Sequence, residues 1–165
     1  MAIFSNEIET LATEVLEKSR QKKWKLATAE SCTGGLIAGS LTEIAGSSDV
    51  FDRGFIIYSN VAKNRMIGVS TDTLRAHGAV SEEVAREMAL GSLNAASVDI
   101  TVAVTGVAGP GGTPTKPAGR VHLAVATKDG IAEHRKMDYG ELGRSEVRQA
   151  TVVTALEMLV KALNR

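Results

Sequence analysis

The sequence predicts a layered α/β domain with one mixed β-sheet flanked by helices. Short apolar runs alternate with segments of helical periodicity along most of the chain. The run Asp99–Thr105 is the strongest strand signal, and its nearly continuous apolar character is typical of a central strand covered on both faces. Val121–Ala126 and Ile131–Met137 follow each other across the turn Lys128–Gly130, which indicates an antiparallel pair.

Length and composition favour a single domain over residues 1–165. A chain of 165 residues is long enough to bury roughly 70% of its unfolded surface around one core. Hydrophobic residues make up 44% of the chain and charged residues 23%, as in ordinary globular proteins. Because 19 basic side chains balance 19 acidic ones, we expect no concentrated basic face and no nucleic-acid partner.

The amino terminus and the cysteine content predict a cytoplasmic protein. Residues Met1–Thr10 lack the basic and apolar blocks of a signal peptide. No apolar run approaches membrane-spanning length, so no membrane partner is expected. The single cysteine, Cys32, excludes an internal disulfide framework and fits a reducing compartment.

The first third of the chain alternates helices and strands. Phe4–Leu16 carries one apolar stripe, which predicts an opening helix. A short strand, Trp24–Thr28, precedes a helix that begins near Thr33. Gly54–Ser59 is a compact apolar run, which we interpret as a buried strand.

The remainder of the chain continues this alternation. Short helices begin with Asn60–Val69, and Ser81 opens a longer helix with acidic residues at its favoured end. The central strand then runs into Gly106–Gly119, which holds all three prolines. Because a strand follows immediately, we interpret this segment as an active-site or ligand loop within one sheet. The last helix starts at about Arg144 and buries an apolar stripe up to Leu163.

The turn Ala29–Gly35 places a hydroxyl group where a strand turns into a helix. Ser31 is the candidate nucleophile, and backbone N–H groups near Thr33 and Gly34 are the candidate oxyanion donors. The paired glycines let such groups approach a ligand closely, and negative charge is favoured at a helix start, either from a phosphate or from an oxyanion. The alternative is that Ser31 or Thr33 merely caps the helix.

A serine nucleophile requires a base, and Lys63 is the better candidate because the three histidines lie in a turn or within paired strands. A lysine accepts a proton only when neutral, so its pKa must fall through burial or through neighbouring positive charge. Arg144 and Arg148, one helical turn apart, are candidates to supply that charge. Tyr58 is expected to relay the proton or to hold Lys63 in place.

Each candidate also has a purely structural interpretation. A lysine at a helix start is usually solvated, an arginine pair is usually a surface feature, and a tyrosine at a strand end often belongs to the core. Cys32 adjoins Ser31 and is an alternative nucleophile, although no histidine has an obvious route to it. No two histidines fall at metal-ligand spacing, and the acidic residues are scattered, so no metal site is expected.

Several ordered motifs together resemble the CinA carboxy-terminal domain family, over nearly the whole chain from about Ile8 to Leu163. The motifs are Ala29–Gly35, Ala45–Ser48, Gly54–Asn60 with Lys63, His77–Ser81, Thr105–Pro110 and Lys116–Gly119. The sequence does not contain the molybdopterin-binding-like domain that precedes this module in full-length CinA proteins, so it resembles the stand-alone form. The resemblance implies nicotinamide-nucleotide amidase activity, which forms nicotinate mononucleotide and ammonia from nicotinamide mononucleotide without a metal or organic cofactor.

The resemblance also implies residue roles, with Ser31 as nucleophile, Lys63 as base and Tyr58 as an assisting hydroxyl. The substrate-binding positions expected from it are Glu30, Thr33, Gly34, Gly35, Ser48, Thr105, Gly106, Arg144 and Arg148. The family usually has an acidic residue beside the first of the terminal arginines, and this chain has Leu142-Gly143 before Arg144 instead. The implied partners are a small mononucleotide substrate and a second copy of the chain in a homodimer.

Two other hypotheses about function are compatible with the sequence. A non-catalytic nucleotide-binding or protein-interaction module would keep the pocket without turnover, and another carboxamide would suit the same chemistry. The set of Ser31, Tyr58 and Lys63 favours the enzyme, because a binding module does not require a hydroxyl paired with a base.

Overall fold

The computed structural model describes all 165 residues and contains one five-stranded sheet with helices on both faces. The helices are α1 (Asn6–Lys22), α2 (Leu36–Thr42), α3 (Asn60–Ile67), α4 (Thr71–His77), α5 (Glu82–Ala96) and α6 (Arg144–Leu163), and the strands are β1 (Leu26–Glu30), β2 (Phe51–Ile56), β3 (Ile100–Gly106), β4 (Arg120–Thr127) and β5 (Gly130–Asp138). This architecture confirms the predicted layered α/β domain with a mixed sheet.

The strand order is β2-β1-β3-β4-β5, so β3 lies at the centre of the sheet as predicted. β1 pairs in parallel with both β2 and β3, whereas β4 and β5 continue the sheet in antiparallel fashion. The last residue of β1, Glu30, is in register with Ile56 and Val104. The residues that follow these three strands therefore meet at one edge of the sheet, where ligands bind in open α/β folds.

Several boundaries differ from the sequence predictions, and two of the differences have a clear physical reason. The predicted buried strand Gly54–Ser59 was wrong, because β2 begins earlier and lies at the edge of the sheet, with only Ile57, just beyond its end, fully buried. The helix expected from Thr33 starts at Leu36, since Gly34 and Gly35 adopt φ angles of +59° and +101° outside the helical region.

Apolar clusters cover both faces of the sheet. α1, α2 and α6 pack on one face through a cluster that includes Leu16 and Leu159, and α3, α4 and α5 pack on the other through Met88 and its neighbours. The strands present mainly alanines to α5, for example Ala103 and Ala124. No helix combines the length and apolar character that crossing a membrane requires.

Serine side chains fix the starts of several helices. Ser5 accepts a hydrogen bond from the Ile8 N–H at the start of α1, and Ser81 does the same for the Val84 N–H of α5. Ser59 accepts from the Ala62 N–H and so begins α3 immediately after Tyr58. This cap places Lys63 in the first turn of α3, where its Nζ contacts the carbonyls of Ile57 and Tyr58 that follow β2.

Candidate active site

Ser31 lies at the carboxyl end of β1, in a tight turn that is held by backbone hydrogen bonds. The Ser31 N–H donates to the Val104 carbonyl at 3.1 Å, and the Gly34 N–H donates back to the Ser31 carbonyl at 3.0 Å. Only 7% of Ser31 is exposed. It opens into a cavity of about 310 Å³, at the lower end of the range typical of small-molecule sites. The other lining residues are Cys32, Tyr58, Asn60, Lys63, Ala79, Val80, Thr105, Gly106, Val107, Ala108, Gly109, Pro110 and Arg144.

Lys63 reaches this cavity from α3 and contacts the candidate nucleophile. Its Nζ lies 3.1 Å from Ser31 Oγ and donates to the carbonyls of Ile57 and Tyr58, both at 3.2 Å. Lys63 is 1% exposed, and all three of these hydrogen-bond partners are uncharged. Burial lowers the pKa of Lys63 below its ordinary value. The neighbouring arginines, named above as a second possible cause, are not among the groups that shift it.

These contacts suit a neutral amine that accepts a proton from Ser31. A neutral lysine has two hydrogens and one lone pair, and the two carbonyls offer acceptors for both hydrogens. The lone pair is then directed at Ser31 Oγ, which is the geometry of a nucleophile and its general base.

Cys32 is a poor alternative nucleophile in this environment. Its side chain is 5% exposed, and burial raises the pKa of the thiol to about 11. The reactive species of cysteine is the thiolate, which is therefore scarce at neutral pH. The structure favours Ser31 over Cys32.

Glu30, expected to bind substrate, instead stabilises the turn from inside the fold. It is fully buried, and its carboxylate accepts hydrogen bonds from the N–H groups of Ile37 and Ala38, each at 2.9 Å. It also accepts from the hydroxyl of the buried Thr33 at 2.7 Å. The chain itself thus supplies the negative charge at the start of α2, so this helix start is not free to hold a substrate phosphate.

The free donors of the turn lie one residue earlier than expected. The Gly34 N–H is already bonded to the Ser31 carbonyl, whereas the N–H groups of Cys32 and Thr33 have no acceptor within the chain. The N–H of the residue that follows a nucleophile is well placed to stabilise an oxyanion. Gly35 and Gly34 adopt the positive φ angles that this tight turn requires.

Tyr58 and Arg144 form the outer rim of the cavity. The Tyr58 hydroxyl accepts a hydrogen bond from Arg144 Nη2 at 3.0 Å, and Arg144 Nη1 donates to the Gly109 carbonyl at 2.8 Å. The backbone carbonyl of Tyr58 accepts a hydrogen bond from Lys63, whereas the Tyr58 hydroxyl is hydrogen-bonded to Arg144. Arg144 also lines an adjoining cavity of about 400 Å³ that shares Ala108–Pro110 with the first.

The remaining predicted substrate residues divide between the site and other parts of the fold. The Thr105 hydroxyl donates to the Ala79 carbonyl at 2.8 Å, and Gly106 lines the cavity next to it. Arg148 donates to backbone carbonyls of the nucleophile turn and lines neither cavity. Ser48 is exposed in the short helical turn before β2, at the opposite end of the parallel strands from Ser31, so it does not reach this site.

Lys116 makes a contact that the sequence did not predict. Its Nζ donates to the carbonyl of His77 at 3.0 Å and also to that of Val80, so it ties the glycine-rich loop to the segment before α5. Both segments carried family motifs, but the sequence gives no sign that they touch. The contact holds Val80, and with it one wall of the cavity, against the loop.

The histidines do not take part in the site. His122 and His134 stack on each other on β4 and β5, with 3.0 Å between Nδ1 and Nε2. His77 is exposed at the end of α4. No group of three or more His, Cys, Asp or Glu side chains is arranged to hold a metal ion.

The fold and the serine–lysine pair define a layered α/β protein with a candidate hydrolytic site at the carboxyl edge of its parallel strands. A sequence model of the CinA C-terminal domain matches residues 8–163. The chain therefore belongs to the CinA C-terminal domain family, as its motifs indicated.

The individual relatives support this family assignment. The chain is 45% identical to the nicotinamide-nucleotide amidohydrolase PncC of Escherichia coli over 93% of both chains. It is 46% identical to the protein of that name from Enterobacter agglomerans, over 93% of this chain and 96% of that one. It is 45% identical to a putative competence-damage inducible protein of Caldicellulosiruptor saccharolyticus over 98% of this chain, but spans only 39% of that longer relative.

Solved structures agree as well. The competence/damage inducible protein CihA from Agrobacterium tumefaciens is 53% identical, with a TM-score of 0.96 over the whole of both chains. A CinA superfamily protein from Klebsiella pneumoniae is 35% identical, with a TM-score of 0.90 over 95% of this chain and 98% of that one.

Proposed function

We propose that this chain is a nicotinamide-nucleotide amidase that hydrolyses nicotinamide mononucleotide to nicotinate mononucleotide and ammonia. The observation that carries the proposal is the 3.1 Å contact between Lys63 Nζ and Ser31 Oγ in a cavity where burial lowers the pKa of the lysine. The substrate is inferred from the two relatives named nicotinamide-nucleotide amidohydrolase, which match this chain over nearly their whole length.

The first half of the reaction forms an acyl-enzyme. Neutral Lys63 takes the proton of the Ser31 hydroxyl while Oγ attacks the carboxamide carbon. The N–H groups of Cys32 and Thr33 donate to the oxyanion of the tetrahedral intermediate. The C–N bond then breaks, and Lys63 returns its proton to the departing nitrogen, which leaves as ammonia.

The second half releases the product. Lys63, neutral again, takes a proton from a water molecule, whose oxygen attacks the acyl carbon of the Ser31 ester. The ester bond to Oγ breaks, and Lys63 returns the proton to the serine. Nicotinate mononucleotide leaves as the acid, which loses its proton to solvent to become the carboxylate, and the serine–lysine pair is restored.

Arg144 is the proposed ligand of the 5′-phosphate. It is exposed between the two adjoining cavities, and its guanidinium suits a phosphate because it offers two parallel N–H donors. With the carboxamide at Ser31, the ribose and phosphate would extend past Ala108–Pro110 toward this arginine.

The test is ammonia release from nicotinamide mononucleotide by the purified protein and by Ser31→Ala and Lys63→Ala. We expect turnover by the native chain and a loss of about 10³-fold or more in each variant, because each removes one member of a nucleophile–base pair. The matched controls are Ser48→Ala and Lys128→Ala, which alter exposed side chains away from the cavity and should retain native rates.

A binding module is the second candidate function. It would bind nicotinamide mononucleotide, as measured by calorimetry, without releasing ammonia, and Ser31→Ala would leave its affinity unchanged. Binding without turnover would therefore replace the amidase proposal, and turnover of other carboxamides alone would change its substrate.

We also propose a cellular location and an oligomeric state for this chain. A cytoplasmic location fits the single free cysteine, Cys32, which is buried in its reduced form. The homodimer implied by the family resemblance remains a prediction, and light scattering of the purified chain would check it.

A further inference from the structure

We propose that Arg148 is a positioning residue that orients the Thr33 N–H of the nucleophile turn as an oxyanion donor, and that it is not a ligand of the substrate phosphate. This inference rests on the proposed amidase function. The family resemblance implies only that Arg148 lies near the substrate.

Arg148 approaches the turn from α6, and its hydrogen bonds to the turn are made with backbone carbonyls. Nε donates to the Cys32 carbonyl at 3.1 Å, and Nη2 donates to the Thr33 carbonyl at 3.2 Å. The guanidinium lies close to Gly34, where an added Cβ would be 3.3 Å from Arg148 Nη2 and would displace it slightly. The guanidinium is half-buried against the turn, and its two partners fix the direction of two consecutive carbonyls.

Fixing a carbonyl also fixes the N–H of the same peptide unit. In a trans peptide the C=O and N–H bonds point in opposite directions. The Thr33 N–H belongs to the peptide whose carbonyl, that of Cys32, is held by Arg148. The Cys32 N–H belongs to the peptide whose carbonyl, that of Ser31, accepts from the Gly34 N–H. Both donors that lack an acceptor in the chain are therefore oriented by a hydrogen bond at the far end of their peptide.

The charge of Arg148 adds to this orientation. A hydrogen bond at the carbonyl polarises the peptide and strengthens donation by its N–H, by about 10–30% per bond. The positive charge lies close enough to lower the pKa of the Cys32 thiol, against the larger effect of burial. An oxyanion beside Ser31 would experience the same field.

The two arginines of α6 thus differ in position and in role. Arg144 lines both adjoining cavities, whereas Arg148 lines neither and directs two of its donors at the protein backbone. This difference in position predicts that loss of Arg148 lowers kcat, whereas loss of Arg144 raises KM.

The test compares Arg148→Ala and Arg144→Ala on nicotinamide mononucleotide and on nicotinamide riboside, which lacks the 5′-phosphate. For Arg148→Ala we expect kcat to fall about 10²-fold with little change in KM, by the same factor on both substrates, as for loss of an oxyanion donor. Arg144→Ala should raise KM for the mononucleotide and have little effect on the riboside. A kcat effect of Arg148→Ala that disappears with the riboside would assign the phosphate to Arg148 and overturn the proposal.

Two further measurements separate this inference from the proposed function. If the native chain releases ammonia from neither substrate, the amidase proposal fails, and Arg148 is tested by the rate at which a fluorophosphonate modifies Ser31, read by mass spectrometry. Arg148→Ala should slow this reaction at least tenfold relative to Arg75→Ala, a variant of an exposed arginine; equal rates would refute the positioning role. If Arg148→Ala does not fold, Arg148→Lys replaces it, since a lysine keeps the charge without the two-carbonyl contact.

Discussion

Lys63 is a buried lysine that forms no ion pair with a carboxylate. Its hydrogen-bond partners are one hydroxyl and two carbonyls, which stabilise an ammonium less than a carboxylate would. Burial therefore favours the neutral amine, the form that a general base requires. In the proposed mechanism, the reactivity of Ser31 depends on the protonation state of this one side chain.

The pH dependence of the reaction follows from the lowered pKa of Lys63. Below that pKa the lysine is protonated and does not accept the Ser31 proton, so kcat/KM should rise with pH through a value below the ordinary lysine pKa of about 10.4. A profile of kcat/KM against pH measures it. A rising limb at the ordinary lysine value would contradict the assignment of Lys63 as base.

The same shift makes folding depend on pH. Between the lowered pKa and the ordinary one, the unfolded chain binds a proton at Lys63 that the folded chain does not. The free energy of unfolding therefore rises with pH in this window. Lys63→Met provides the control, because it lacks this contribution.

Motifs predicted that Ser31 and Lys63 would meet, as they do, but not the direction of every side chain near them. Ser31 and Lys63 were predictable because each follows a strand whose carboxyl end lies at the ligand edge. Glu30 sits within the same motif, yet its carboxylate points into the fold and caps α2. Ser48 belongs to another motif that precedes its strand, and so lies at the wrong end of the sheet. The position of the candidate oxyanion donors likewise depends on the φ angles of two glycines.

At the scale of the elements, the crossing of α3 and α5 sets the position of the base. Gly91 on α5 faces the end of α3 so closely that a Cβ there would lie 2.0 Å from the Ile67 carbonyl oxygen. α3 carries Lys63 in its first turn. A glycine in the middle of α5 thus allows the helix that bears Lys63 to lie against it.

Gly91→Ala tests this crossing because two effects on stability oppose each other. Replacing a helical glycine with alanine should stabilise the helix by about 1 kcal/mol. The contact with α3 predicts the opposite, a net loss of about 1–3 kcal/mol in the free energy of unfolding and lower activity as Lys63 moves. Urea unfolding measures the stability, with Asn94→Ala on the exposed face of α5 as control. A stabilised variant would show that the helices separate without penalty.

Long periodic elements were easier to predict than short ones. β3, α5 and α6 were all expected near their observed positions, since their apolar patterns extend over many residues. β2 was expected to be buried, because Ile56 and Ile57 are adjacent apolar residues, of which only the second enters the core. A short apolar run does not reveal how many neighbours a strand has.

At the scale of the whole molecule, the site joins the two layers that cover the sheet. Lys63 comes from α3 on one face, and Arg144 and Arg148 come from α6 on the other. Ser31 lies between them at the end of β1. The geometry of the site therefore requires both helical layers to be docked at once.

Met88→Ala tests whether the layers unfold together. Met88 is fully buried in the cluster under α5, so its truncation should lower the free energy of unfolding by about 2–5 kcal/mol. The single tryptophan, Trp24, packs on the opposite cluster and reports that side by fluorescence. In a two-state protein, fluorescence and circular dichroism shift by the same amount. An unchanged Trp24 transition would show that the faces unfold independently.

The buried thiol of Cys32, next to the candidate nucleophile Ser31, is a built-in probe for local opening of the turn. Cys32 is the only cysteine of the chain, and its raised pKa leaves little thiolate to react while the turn is closed. An opening that exposes this residue to water would restore ordinary thiol reactivity. The labelling rate of Cys32 therefore reports how readily the turn opens, and a ligand that fills the cavity should slow the labelling.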